Sequence, residues 1–307
     1  MSQDRPLVAA VFPGQGSQKP GMGRSLYEAD ATFRDAFDRI ARADGRKLTA
    51  IAFDGTEDDL RRTENAQSAL YACGVAAYRA WVANGGVADL FAGHSIGEYA
   101  ALAAAGILGD EDGARLVRKR GELMAGAGEV APGAMAAVLG LEIPEIQGVL
   151  DQVGGMVVVA NDNCPGQAVI SGEASAMVTA SAALTEAGAK RVLPLAVSGA
   201  FHSPLMAEPA RAMRTALDEV AWNAGAPVVA NILGDLPPHA DWPETLQTQL
   251  ASPVRWTESV RRMTELGARE FVEFGSGAVL GGLIRRIDKS VATRTISEAE
   301  DLTGQGN

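Results

Sequence analysis

Residues 89–106 read DLFAGHSIGEYAALAAAG. A short apolar run, 89–93, has the length of a buried strand, and an alanine-rich helical stretch follows from Ile96 to about Ala105. Between them Gly93-His94-Ser95-Ile96-Gly97 spells G-x-S-x-G, a strand-to-helix turn that lifts a serine hydroxyl over the edge of a parallel sheet. Glycine on both sides lets the chain turn without a Cβ clash. The unpaired N–H groups at the start of the helix favour an oxyanion. In a chain with 35 glycines such a spacing also arises as a plain helix cap. The strand before and the helix after favour a nucleophile at Ser95.

Working outward, the pattern alternates short apolar runs with helical stretches. Leu7–Phe12 reads as a strand. Residues 23–43 form one helix with Leu26, Phe33, Phe37 and Ile40 near one face, 65–84 a second that ends at Gly85-Gly86, and 110–125 a third. Strands separated by helices predict an α/β protein with a parallel sheet covered on both faces. The middle differs. Strands at 134–139, 156–160, 167–171 and 191–195, with helices at 143–153 and 173–187, give the order β-α-β-β-α-β, a ferredoxin-like unit, with NDNCPG as the turn between its two central strands. The expected organisation is a hydrolase-like body, 1–129 and 198–307, interrupted by a small subdomain, 130–197. Helices at 204–221, 243–250 and 255–266, strands at 228–232 and 270–274, and a helix from Val279 complete the body.

Composition removes several classes of function. Of 307 residues, 47% are hydrophobic and 21% charged, as in ordinary soluble domains. A net charge of −11 argues against nucleic acid as a partner. No apolar run approaches a membrane span or a secretory signal, which points to the cytoplasm. Cys73 and Cys164 sit in no paired motif, so neither a structural metal site nor a disulfide framework is expected. The glycine-rich loop Gly14-Gln15-Gly16 follows the first strand as a phosphate cradle would. Lys19 stands where a dinucleotide fingerprint needs glycine, and no P-loop run is present.

A serine nucleophile needs a base, and the chain has three histidines. His94 adjoins Ser95 on a tight turn, where neighbouring side chains diverge; a turn residue bonded to nearby backbone is its expected role. His239 lies in a proline-rich surface loop. His202, in AVSGAFHSPLM between a strand and a helix, lies on a loop that converges on the same sheet edge. Elimination favours His202, with a buried structural histidine as the alternative.

The stretches FPGQGSQ, GHSIGEYAAL, VRKRGELM, PGAMAAVLG, NDNCPGQAVISG, AKRVLPLAVSGAFHSPLM and SPVRWTESV resemble, in family order, the malonyl-CoA:acyl carrier protein transacylases of fatty acid synthesis. They are also similar to polyketide synthase acyltransferase domains. The resemblance runs from Val8 to about Ile287. It implies Ser95 as nucleophile, His202 as base held by main-chain carbonyls, and Gln249 in the supporting position. It implies an oxyanion hole from the N–H groups of Gln15 and Ile96, which gives the opening loop a purpose. Arg120 matches the arginine that binds the malonyl carboxylate; on charge alone Arg118-Lys119-Arg120 would be a solvated helix face. Asn161 and Asn163 match a substrate-proximal loop, and Phe201 a position whose bulk accompanies malonyl rather than methylmalonyl choice. The resemblance further implies malonyl-CoA and an acyl carrier protein as partners, and no cofactor beyond the thioester substrate. The rivals are a trans-acting polyketide acyltransferase, a thioesterase or esterase using the same serine, and a non-catalytic carrier-binding module.

Overall fold

The computed structural model describes residues 5–130, 132–197, 199–239 and 241–303. Its strands, in chain order, are β1 (Leu7–Phe12), β2 (Leu90–Gly93), β3 (Gly133–Leu139), β4 (Val157–Cys164), β5 (Gln167–Glu173), β6 (Arg191–Pro194), β7 (Val228–Val229), β8 (Val254–Arg255), β9 (Ala268–Phe274) and β10 (Ala292–Ile296).

The first sheet runs β10-β9-β1-β2-β7, all parallel. β1 is central and apolar on both faces. Ala10 and Phe12 join the core cluster on one side and Ala9 and Val11 the cluster on the other, as a parallel sheet between helix layers requires. The helix after the elbow, Gly97–Ala104, is buried at every position, and so is most of Thr63–Ala83. Helices buried on nearly every side belong inside a large domain.

The second sheet runs β6-β3-β5-β4-β8. β3 pairs antiparallel with β5 and β6, and β4 with β5. One face, with Ala136, Val138, Val159 and Ile170, packs on the helices Ile143–Leu150 and Ala174–Glu186. The opposite face, with Met135 and Val169, packs toward the main core. β8 comes from the chain beyond the middle segment and lies parallel on β4, Asn161 against Val254.

Several expectations change. The single helix over 23–43 is two, Arg24–Ala29 and Ala31–Asp44, because Asp30 adopts extended backbone and its carboxylate accepts the Phe33 N–H at 2.7 Å. The helix expected to stop at 125 continues as Asp110–Val130 and takes in Gly126 and Gly128. Ser198, where the body was expected to resume, falls outside the described residues. NDNCPG is not all turn. Residues 161–164 belong to β4, where β5 and β8 fill both edges, and only Pro165-Gly166 turn the chain. β8 and β10 were not expected, the first for its two-residue length, the second because ATRTI mixes polar residues into an edge strand. Among the described residues no helix is long and apolar enough to cross a membrane.

Candidate active site

The turn after β2 is as tight as its glycines suggest. A Cβ on Gly93 would fall 1.9 Å from the Gly97 carbonyl carbon, and one on Gly97 would fall 2.1 Å from the Phe12 oxygen. Only glycine fits either place. Among the described residues just two without glycine's freedom hold positive φ: Ser95 at 53° and His202 at 56°. Strained backbone of this kind persists where the surroundings over-determine it.

Those two residues meet. Ser95 Oγ lies 2.7 Å from His202 Nε2. His202 Nδ1 lies 3.0 Å from the Gln249 carbonyl oxygen and 3.1 Å from that of Ser252. Carbonyls only accept, so Nδ1 carries the proton and Nε2 presents its lone pair to the serine O–H. The histidine is thus held by main-chain carbonyls, with Ser252 added to the expected Gln249. Burial, helped by the Arg120 charge, pushes the His202 pKa down to about 3. This sets a stability expectation. A histidine neutral in the fold and titrating near 6.5 when unfolded contributes stability above that pH, which is lost as pH falls toward its folded value. From pH 7.5 to 5.5 the loss is about 1 kcal/mol. The pH dependence of unfolding free energy, read by denaturant titration, is expected to be shallower by that amount in His202→Ala than in the parent. Equal slopes would show that His202 is not held neutral.

A cleft of about 420 Å³ opens over this pair, lined in part by Gln15, Ile96, Asn161, Asn163 and Phe201. The opening loop reaches it by close backbone approach, since a Cβ on Gly14 would sit 2.7 Å from the His94 carbonyl oxygen. The Ser95 N–H is already engaged, donating to Asn231 Oδ1 at 2.7 Å. Asn163 Oδ1 lies 2.8 Å from His94 Nε2, and the His94 ring packs against Trp256 at 5.7 Å. His94 is therefore bonded to its own backbone, as expected of a turn residue, and is tied in addition to the second sheet through Asn163. Burial lowers its pKa, opposed by the Asn163 bond. His239 is exposed, as expected.

Arg120 is fully buried, whereas Lys119 is exposed and Arg118 pairs with Glu122 at 2.8 Å. The cationic run is thus not one solvated face. Arg120 Nη1 donates to Gln67 Oε1 at 2.7 Å, and Nη2 donates to Gln249 Oε1 at 3.0 Å and to Ser95 Oγ at 3.1 Å. The guanidinium also lies over the Tyr99 ring at 5.7 Å. It reaches the nucleophile beside the part of the cleft wall formed by Gln67 and Met124.

Sequence reasoning missed Gln67, Glu98, Asn231 and Ser252. Asn231 clamps the elbow, its side chain accepting from the Ser95 N–H and donating to the Gly93 carbonyl at 2.6 Å. Glu98, fully buried, is pushed up to about 7 by burial, against the pull of the Asn231 N–H, Gln249 and Arg120. A readable signal existed for Glu98 and Asn231. Each is a lone polar residue inside an apolar run, where an unpaired group would be costly.

Comparison with known proteins gives a consistent pattern. Residues 10–301 match the family described as "Acyl transferase domain". The chain is 42% identical over 300 residues to the malonyl CoA-acyl carrier protein transacylase of Bacillus subtilis, covering 96% of this chain and 95% of that one. It resembles the crystal structure of a malonyl-CoA:acyl carrier protein transacylase from Xanthomonas oryzae with a TM-score of 0.93 at 43% identity, covering 98% and 97% of the two chains. It also matches a malonyl-transacylase solved in complex with its type II polyketide synthase acyl-carrier protein, with a TM-score of 0.92 at 38% identity and coverage of 97% and 98%.

Proposed function

Because the chain belongs to the acyl transferase domain family, we propose that it moves a malonyl group from malonyl-CoA to the phosphopantetheine thiol of an acyl carrier protein. The observation that carries this is the 2.7 Å contact of Ser95 Oγ with a neutral, carbonyl-held His202, with Arg120 on the same oxygen.

The chemistry proceeds in two halves. Ser95 Oγ attacks the thioester carbonyl carbon while its proton passes to His202 Nε2. The developing oxyanion is received by the N–H groups of Gln15 and Ile96, the two backbone segments beside Ser95 in the cleft. The C–S bond breaks, the thiolate takes the proton from His202, and CoA leaves. The carrier thiol then gives its proton to His202 and attacks the malonyl-serine ester, and Ser95 regains its proton as it departs. Arg120 takes the free carboxylate. An ester oxygen accepts hydrogen bonds poorly, so acylation frees the Nη2 donor that the hydroxyl had held. Guanidinium suits a carboxylate because it is planar, always charged and doubly donating. Phe201, beside the base, crowds a 2-methyl branch, and Asn161 and Asn163 border the acyl chain. The proposed chemistry draws on side chains and main-chain N–H groups alone. The proposed location is the cytoplasm, in keeping with Cys73 and Cys164 as free thiols.

The test of this reading is initial-rate kinetics with both substrates varied. A covalent two-step transfer gives parallel double-reciprocal lines. Intersecting lines, or release of malonate to water at the rate of CoA release with carrier present, would overturn it in favour of direct transfer or a thioesterase.

Carrier docking needs a local basic patch, since the chain carries −11 overall. Lys190, Arg191, Arg285 and Arg286 are the candidates. Arg286 donates to Gln167 Oε1 at 2.6 Å and to the Pro165 carbonyl at 2.9 Å, and the Gly166 carbonyl accepts from the Gly140 N–H, on which the Lys190 stem lies. Lys190, Arg191 and Arg286 thus gather at one end of the second sheet, beside Gln167 of the cleft lining, while Arg285 turns to Thr293. Arg286→Glu is expected to raise KM for carrier about tenfold and leave that for malonyl-CoA nearly unchanged. Equal effects on both substrates, or none, would remove the patch.

A further inference from the structure

Glu98 stands three residues beyond the nucleophile, on the first turn of the helix Gly97–Ala104, with no exposed surface. One carboxylate oxygen accepts the Asn231 N–H at 3.0 Å, and the other accepts from Gln249 Nε2. Gln249 Nε2 also donates to the Ser95 carbonyl at 2.9 Å, while its Oε1 accepts from Arg120 Nη2 at 3.0 Å. The Gln249 amide is therefore fixed in one orientation, with NH₂ toward two acceptors and oxygen toward the guanidinium. The flipped amide would set donor against donor on Arg120. The hydrogen-bond acceptors of the Arg120 guanidinium are the neutral groups Gln67, Gln249 and Ser95, and the charge of Glu98 acts on it from beyond the Gln249 amide.

We infer that Glu98 is a positioning residue for acyl selection: through the Gln249 amide it sets where the Arg120 guanidinium stands, without bonding to it directly. A direct ion pair would have to be broken by each incoming substrate carboxylate. An amide relay holds the cation in place and leaves its charge for the substrate. Only an acceptor at position 98 enforces the Gln249 orientation. A glutamine there can turn its own NH₂ toward Gln249 Nε2 and release it. The inference rests on the transacylase reading and adds a residue to it.

A structural role for Glu98 would change stability and all acyl rates together. The relay changes the choice between acyl groups. The experiment measures kcat and KM with malonyl-CoA and acetyl-CoA for the parent, Glu98→Gln, Arg120→Ala and the double variant, each shown to be folded by its thermal melt. Glu98→Gln is expected to lower the malonyl-to-acetyl ratio of kcat/KM about tenfold, the scale of one hydrogen bond to a charged group. In the double variant the ratio is expected to equal that of Arg120→Ala alone, because the relay then has nothing to position. An unchanged ratio in folded Glu98→Gln, or an equal further fall on top of Arg120→Ala, would overturn the inference. If Glu98→Gln does not fold, Glu98→Asp, whose carboxylate is withdrawn by one methylene from Gln249 Nε2 and so lets go of the amide, is read for the same two outcomes. Failure of the parent to transfer malonyl at all would strike the transacylase reading instead.

Discussion

Ser95→Ala is expected to form no malonyl ester and to lose at least about a thousandfold in transfer rate, the scale seen when one member of a nucleophile–base unit is removed. The fold should survive. Alanine meets the positive φ of position 95 no worse than serine does, and the elbow keeps its Asn231 clamp, which grips the Ser95 N–H and the Gly93 carbonyl rather than the hydroxyl. Arg120 keeps Gln67 and Gln249, and His202 keeps both carbonyls. Intact-mass measurement after incubation with malonyl-CoA checks the ester, and a thermal melt checks the fold. A malonyl adduct on the folded alanine variant would move the nucleophile elsewhere.

The second large effect is expected at Arg120. A carboxylate entering this buried site without a partner loses its hydration uncompensated. Removing one side of a charge-assisted pair costs about 2–5 kcal/mol, or tens to thousands-fold in kcat/KM. For acetyl-CoA the penalty is reversed, since it leaves the guanidinium without its counter-charge. Arg120→Ala is therefore expected to lose malonyl transfer and gain acetyl transfer in relative terms. The alanine also leaves a void in the wall between the helices Asp110–Val130 and Thr63–Ala83. Collapse of the site into that void would depress both reactions alike, so the ratio of kcat/KM values is the quantity to read. A ratio that does not fall removes Arg120 as the carboxylate partner. The same assay with methylmalonyl-CoA reports on Phe201, whose replacement by a smaller residue should admit the branched acyl group.

The elements that position the site were legible where a local rule spoke loudly. Strand β1 and the G-x-S-x-G elbow declare themselves because an unbroken apolar run and two obligate glycines have few other meanings. His202 could be reached by elimination, because one other histidine adjoins the nucleophile and the third sits in a proline-rich loop. What the sequence hid was of another kind. Strand β8 is two residues long, and it exists only because the edge of β4 lies next to it. The reading of NDNCPG as a turn failed for the same reason, since polar residues in a strand are invisible to a pattern that looks for apolar alternation. Asn231, Glu98 and Gln67 act through contacts that span tens of residues in the chain, Ser95 to Asn231 across 136 and Glu98 to Gln249 across 151. No local pattern encodes such pairings. Their only trace is a polar residue where an apolar one would pack. Arg120 shows the limit from the other side. A run of three cations by itself predicts a solvated face; the resemblance set Arg120 apart, and the fold shows how, with the third cation turned inward onto the nucleophile.

The most direct measurement on the central claim is a chase of the isolated intermediate. Protein incubated with radiolabelled malonyl-CoA is freed of small molecules, digested in part to locate the label, and the remainder mixed with phosphopantetheinylated acyl carrier protein. The account predicts label on the peptide bearing Ser95, stable in buffer, and its transfer to the carrier on mixing. Label on another residue, or label lost to water with none on the carrier, would contradict it.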